Sequence, residues 1–221
     1  MAVVVNSGCL QGIDGVVVRV EVDLVRRLPR VVVVGLAANC VRESSERVRS
    51  AVSASGLDFP RMCVTINLAP ADVRKEGTAL DLPIALGVLA ASQQIPTEFL
   101  GETLFAGELG LDGTLRAIVG PLCLALLARE KGFRRFVVPR GCGAAASMVP
   151  DLEVLEAHSL LEVVRFLRGE LELSRSVPEP SVRPVCVGDF SEVSGQCRAK
   201  RALEIAVAGG HNVILCGPPG V

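Results

Sequence analysis

The sequence predicts a mixed-sheet α/β domain, α+β in the order of its elements, and three observations carry that expectation. β-branched runs crowd the N-terminal stretch, the apolar period then changes from two to helical spacing, and strands alternate with helices from there to about Arg168. Of the 221 residues 50% are hydrophobic and 21% charged, enough to bury a core and to exclude wholesale disorder. The formal net charge of −1 argues against a global electrostatic clamp for nucleic acid, although a local basic patch survives such a balance. No apolar run reaches the roughly 18 residues of a membrane span. Met1–Asn6 lacks a basic stretch ahead of its valines, so no signal peptide is expected and the cytoplasm is the expected compartment. Aromatic residues are 3%, all Phe, which weakens any model built on base or sugar stacking.

Val3–Asn6, Val16–Val22 and Val31–Gly35 read as strands separated by Gly12–Gly15 and Arg26–Pro29. Val18, Val20 and Val22 alternate with Val17, Arg19, Glu21 and Asp23, the pattern of a half-buried strand. A helix follows from an Asn39 cap to Gly56, with Val41, Val48 and Val52 on one face. Its other face carries Arg42, Glu46, Arg47 and Arg49, with Glu43 and Arg47 spaced as a helical ion pair; contact of these arginines with nucleic acid is the alternative to a solvated, paired face, which is the reading adopted. Met62–Leu68 is the next strand, Ala69–Thr78 a polar loop and Leu82–Ser92 a long apolar helix ending before Pro96. Leu104–Leu111 and Thr114–Ile118 flank Asp112-Gly113, the dipeptide of a type I′ hairpin turn. Helix Val119–Lys131, strand Phe136–Val138, a helical turn at Ala144–Met148, strand Glu153–Glu156 and helix Ser159–Arg168 complete the region.

Gly169–Pro184 has few apolar residues and three prolines within its last seven positions, and reads as a linker. Three segments are therefore expected: a domain over 1–168, a linker over 169–184 and a second unit over 185–221. In the last, Gly195–Ala208 is helical in period, Gly209-Gly210 stops it, and His211–Cys216 has the unbroken apolar run of a buried strand.

Eight cysteines invite a metal or disulfide reading, but none forms a C-x₂₋₄-C pair and there are only two histidines, His158 and His211. Zinc-type spacing is absent, no metal ligand is assigned, and reduced, mostly buried thiols are expected. His158 reads as an exposed neighbour of the last helix of the first domain, and His211 as structural. Glu43, Glu46, Asp72 and Glu76 each have a basic residue within four positions, and these four and Asp81 are expected to be salt-bridged surface rather than acid–base pairs.

The chain ends Gly217-Pro218-Pro219-Gly220-Val221, which matches the first five positions of the phosphate-binding pattern G-x-x-x-x-G-K-[ST], directly after a strand-like run. In that pattern backbone N–H groups cradle the phosphates, the Lys reaches the β/γ oxygens and the hydroxyl holds Mg²⁺. Taken alone, the segment is equally good as a simple turn.

Longer blocks decide between the two. Asp189-Phe190, Val193-x-Gly195-Gln196, Ala199-Lys200-Arg201-Ala202-Leu203-Glu204-Ile205-Ala206 and Gly209-Gly210-His211-Asn212 resemble the opening of the AAA+ module of magnesium-chelatase-like ATPases, the YifB/ComM family. Upstream, Val41-Arg42-Glu43-Ser44, Asn67-Leu68-Ala69-Pro70-Ala71-Asp72, Lys75-Glu76-Gly77, Asp81-Leu82-Pro83-Ile84-Ala85 and Gly107-Glu108-Leu109 resemble that family's N-terminal domain, so the resemblance covers essentially the whole chain. Ala37-Ala38-Asn39 stands where Pro-Asp-Ala is usual, and Gly141-Cys142-Gly143 replaces an Asn-containing turn.

The resemblance implies a fold similar to the second domain of ribosomal protein S5 and the proteolytic domain of Lon, then a linker and the first helix and strand of a P-loop domain. Lon's nucleophile lies in a Lys-Asp-Gly-Pro-Ser-Ala-Gly segment, and the matching stretch here is Lys75-Glu76-Gly77-Thr78-Ala79-Leu80-Asp81, with Ala79 in the serine position. Lon's lysine follows Gly-Gly-Leu, and here Val119-Gly120-Pro121 is followed by Leu122. A Ser–Lys dyad needs both groups, so no catalytic residue is expected; Thr78 and Lys75, an exposed loop pair, do not replace it. What the resemblance implies for the parent protein is an ATP- and Mg²⁺-dependent homo-hexameric motor in DNA processing. The alternatives are an ATPase subunit of a metal-insertion complex, or a stand-alone peptidase-fold domain. The nucleotide-binding residues implied are Val193, Gly195, Gln196, Gly217, Pro218, Pro219, Gly220 and Val221. Without the Lys and Ser/Thr, these 221 residues are expected to bind ATP weakly and to hydrolyse neither ATP nor peptides.

Overall fold

The computed structural model describes residues 2–35, 39–73, 75, 77–178 and 188–217, the side chains of 39–42 excepted. They divide into two compact units, 1–179 and 180–221. The readings of Ala37 and Ala38, of residues 179–187 of the linker region, and of Pro218–Val221 lie outside the described residues.

In the first unit, β1 (Val3–Gln11) and β2 (Asp14–Val25) form a long antiparallel hairpin closed by Gly12-Ile13, with Gly12 at φ +65°. Val18, Val20 and Val22 are fully buried, as the alternation requires, and Arg19 is exposed. Both strands outrun their valine stretches because Gly8 and Gly15 serve as close-approach points. A Cβ on Gly8 would lie 2.9 Å from Leu124, and one on Gly15 2.8 Å from Leu127. Both leucines sit on α3 (Pro121–Glu130).

β3 (Arg30–Val34) lies parallel to β4 (Cys63–Ala69), and α1 (Asn39–Ala54) connects the two. β4 in turn runs antiparallel to β2. On the other side of β1 come β5 (Thr103–Phe105), β8 (Arg135–Pro139) and β9 (Glu153–Ala157), each parallel to its neighbour. β10 (Ser174–Arg175) closes that edge antiparallel to β9, giving an eight-stranded mixed sheet in the order β10-β9-β8-β5-β1-β2-β4-β3. The stretch from Gly169 therefore does not leave the fold at once: Leu173 is buried and the next two residues pair with Leu155 and Glu156. Helix α2 (Asp81–Ala91) and α5 (Leu160–Leu167) share one core with α1, and α3 and α4 (Gly143–Ala146) form a second on the opposite face.

The hairpin β6 (Glu108–Leu109) and β7 (Leu115–Arg116) corrects the expected type I′ turn. Gly113 N–H donates to the Gly110 carbonyl at 3.0 Å, and only Gly113 has positive φ, +84°. That is a type I turn followed by a left-handed glycine, a three-residue loop. The Asp112 side chain favours it by accepting from the Thr114 amide (3.1 Å) and hydroxyl (2.7 Å), and the Thr114 hydroxyl above all holds its carboxyl below the usual range.

Asp81 overturns a second reading. It is fully buried at the start of α2, accepting from Arg47 Nε (2.8 Å) and Nη2 (3.0 Å) and from the Leu109 amide (3.2 Å). Arg47 leaves the solvated face of α1 because its guanidinium is the cation that Asp81 requires, and the Asp81 hydrogen bond raises the arginine above its ordinary pKa.

In the second unit, the Asp189 carboxylate caps a single 3-10 turn, Phe190–Glu192, accepting from the Ser191 amide at 2.8 Å. Helix α6 (Cys197–Gly209) ends in a Schellman motif: His211 N–H reaches the Ala206 carbonyl (2.8 Å), Gly210 N–H reaches Val207 (3.4 Å), and Gly210 has φ +63°. His211 is structural in this sense, and its ring lies against Gly209, where a Cβ would sit 2.5 Å from Nε2. The strand expected at His211–Cys216 does not form. No described residue of this unit supplies a strand edge, and Ile214 is 85% exposed.

The Asp81→Ala variant is expected to lose about 3–5 kcal/mol of stability by leaving Arg47 without its carboxylate in a half-buried site. The exposed Arg134–Glu102 pair, 3.4 Å apart, should be removable with little effect. Urea titration followed by far-UV circular dichroism measures both, since the chain has no Trp or Tyr. Equal effects would contradict this.

Candidate functional site

A pocket of about 290 Å³ opens in the first unit where the end of β1 meets the turn entering α2. Cys9 and Leu10 line it from β1, Thr78 and Ala79 from the turn, Glu108 from β6, and Ile118 from the segment after β7. The turn is fixed by Gly107, whose amide donates to Ala79 (2.9 Å) and whose carbonyl accepts from Leu82 (3.0 Å). Glycine is required there: a Cβ would lie 2.9 Å from Leu115 and 3.3 Å from Leu82.

Ala79 lines this pocket, whereas Leu122, which the resemblance sets at the position of the base, lies on the first turn of α3 outside the pocket lining. Thr78 donates its hydroxyl to the Glu108 carboxylate, whose other oxygen lies 3.6 Å from Arg116 Nη1. Lys75 corrects the reading of an exposed loop pair. It is fully buried and donates to the Pro70 carbonyl, so it is not paired with Thr78. Burial pushes the Lys75 amine below its usual pKa, with Cys9 and Asp72 opposing that shift. Burial also raises the Cys9 thiol, and Lys75 opposes it. Among the described residues the pocket holds the engaged Thr78–Glu108 pair and a Cys9 thiol whose raised pKa disfavours the thiolate.

The second unit carries the residues assigned to a nucleotide. Gly195 (φ +68°) and Gln196 (φ +52°) make a left-handed turn into α6, and Lys200 folds back to donate to the Val193 carbonyl. Val193 is partly exposed beside this turn. No side chain caps α6, so its first amides are available to an acceptor. The resemblance sets these residues on one flank of a nucleotide site. Of the phosphate loop only Gly217 is described, and the pattern's Lys and Ser/Thr positions follow Val221.

Sequence reasoning missed Lys75 and the Arg47–Asp81 pair because local charge spacing does not reveal burial. The available signal was Asp81 itself, a carboxylate opening a helix whose next nine residues are all apolar or Gly and all buried. Of the described cysteines, Cys9, Cys63 and Cys142 are buried, Cys123 is half-buried, and Cys197 and Cys216 are exposed. Among the described residues no group of three potential ligands gathers to hold a metal.

Two outcomes test this site. Raised pKa values leave Cys9 and Cys142 with a smaller thiolate fraction at any pH near 8, so a maleimide should label Cys197 and Cys216 first in the native chain. Fast labelling of Cys9 would show that the pocket is open to reagent. A fluorophosphonate serine probe should leave the chain unlabelled, and Ala79→Ser alone should not restore labelling.

Comparison with known proteins agrees with this geometry. A family model for subunit ChlI of Mg-chelatase matches residues 20–141, and a model for the magnesium chelatase subunit ChlI matches residues 189–221. The uncharacterized protein YifB of Escherichia coli K12 is 40% identical over 217 residues, covering 98% of this chain and 43% of that protein. The competence protein ComM of Haemophilus influenzae is 40% identical over 222 residues, with the same two coverages. A Lon protease of Clostridioides difficile is 25% identical over 154 residues, 66% of this chain and 19% of that one, in keeping with a Lon-like fold. The chain thus spans less than half the length of its YifB and ComM relatives. With a family model covering more than half of its residues, the chain belongs to the magnesium-chelatase ChlI family and is a YifB/ComM-like member of it.

Proposed function

We propose that this chain is the N-terminal part of an AAA+ ATPase that works as an ATP-driven motor in DNA processing, such as branch migration during transformation or recombination. The observation that carries the proposal is the separate family match over residues 189–221, which ends on Gly217-Pro218-Pro219-Gly220-Val221, five positions of a phosphate loop. The competence role in the name of ComM supports DNA as the substrate. On this reading residues 1–168 form a non-catalytic binding and assembly domain, 169–184 connect it, and 185–221 begin the ATPase domain of a cytoplasmic homo-hexamer. Support for an inert first domain comes from Ala79 and Leu122, which replace nucleophile and base. ATP with Mg²⁺ would supply phosphoanhydride hydrolysis in the whole protein. Val193, Gly195 and Gln196 would flank the base, and Gly217, Pro218, Pro219, Gly220 and Val221 the phosphates.

A second reading, an ATPase subunit for metal insertion, draws support from the Mg-chelatase description of both family models. The whole protein's ATPase rate separates the two. A rise of several-fold with a four-way DNA junction is expected, and a rise only with a porphyrin and Mg²⁺ would favour metal insertion. The 221 residues alone should show no micromolar ATP affinity by calorimetry, and such affinity would contradict the incomplete-loop reading.

A further inference from the structure

We propose that one end of the first unit is a nucleic-acid-binding surface, gripping DNA phosphates through Arg26, Arg27, Arg49 and Arg61 and setting Leu28 against exposed bases. This deepens the DNA-processing reading and rests on it.

Topology gathers the residues. Val25 at the end of β2 and Arg30 at the start of β3 both pair with Cys63, so the 26–29 loop and Arg61 stand at the same end of the sheet. The C-terminal half of α1 reaches that end too. Pro29, Arg49, Ser53, Phe59 and Arg61 line one open cleft of about 570 Å³. The Arg49 guanidinium lies 4.9 Å from the Phe59 ring centroid, a stacking that orders its charge while leaving its in-plane N–H donors for phosphate oxygens. Arg30 stands in the same group and is oriented by an Nε contact to Cys63 Sγ at 3.3 Å.

Some surface arginines are already paired, and what sets this group apart from other unpaired ones such as Arg19, Arg129, Arg140, Arg165 and Arg198 is its clustering at one end of the sheet. Arg116, Arg134, Arg135 and Arg201 each lie against a glutamate. Among the described residues Arg26, Arg27, Arg49 and Arg61 have no carboxylate within ion-pair distance. Asp58, the acid lining the cleft, has its amide held by Gln94 and pairs with neither arginine there. In a chain of net charge −1, a concentration of five exposed arginines is a local field that attracts a polyanion.

Leu28 narrows the choice of polyanion. It is 86% exposed at the tip of the loop, between Arg27 and Pro29. A single apolar side chain among arginines is little for membrane insertion, which needs a continuous apolar face. It matches the wedge that DNA-bending proteins set between base steps while neighbouring cations hold the backbone. A branched duplex, whose bases are already partly unstacked, suits such a wedge better than continuous duplex.

The test is fluorescence anisotropy with the 221-residue chain, a labelled four-way junction and a duplex of equal length, over a series of salt concentrations. The wild type should bind both, more tightly to the junction. The quadruple variant Arg26→Ala, Arg27→Ala, Arg49→Ala, Arg61→Ala should lose affinity for both and flatten the salt dependence by about 3 in log–log slope. Leu28→Ser should reduce the junction preference at unchanged salt slope. The control variant Arg134→Ala, Arg201→Ala should bind as wild type, and circular dichroism should show all variants folded. Wild-type binding by a folded quadruple variant would overturn the proposal, as would equal loss in the control. Preference for phosphatidylserine vesicles over DNA would overturn it in favour of a lipid surface. If the chain binds no DNA while the whole protein still has a junction-stimulated ATPase, the surface is wrong and the DNA-motor reading stands.

Discussion

The ion pair between Arg47 and Asp81 sets the geometry of the first unit. Asp81 is wholly inaccessible, so its charge must be met inside the protein, by two N–H groups of Arg47 and the Leu109 amide. Three elements converge on one carboxylate: α1 through the arginine, α2 through the aspartate, and the β6–β7 hairpin through the amide. The pair also fixes where α2 begins, and α2 is buried along its length against β1 and β2, where Gly87 lets the helix approach until a Cβ would lie 2.6 Å from Val22. Moving the start of α2 would move Thr78 and Ala79 with it, and with them the wall of the pocket.

That pocket belongs to a fold in keeping with that of Lon. The clip at Gly107 still presents residue 79 to a cavity, but a methyl group stands there, and the buried amine in the vicinity, Lys75, is spent on a backbone carbonyl. Thr78 and Glu108 satisfy one another.

Much of the fold was legible in the sequence, because its signals are local. Alternation in β2 buried Val18, Val20 and Val22, and the apolar block after Asp81 became α2. The Gly209-Gly210 stop of α6 became a Schellman motif. What escaped depended on partners distant in the chain. Gly8 and Gly15 look like strand breakers until the leucines of α3 lie over them. Asp112-Gly113 suggests type I′ until the Thr114 hydroxyl draws the Asp112 side chain into a different turn. Ser174–Arg175 carry no strand pattern and pair only because β9 leaves an edge open. Val213, Ile214 and Leu215 carry a strong one and form no ladder, because among the described residues of their unit nothing pairs with them. The residues proposed for the nucleotide are legible only through family resemblance, and of the arginine cleft only Arg49 stood out, on a helix face read as solvated, since its members come from three separate segments.

The central claim, that the first unit is a binding module serving an ATP-driven DNA motor, is tested most directly by the ATPase rate of the whole protein carrying the four arginine-to-alanine changes, measured with and without a four-way junction. The account predicts an unchanged basal rate and loss of the stimulation by DNA. Full stimulation in the variant would contradict it.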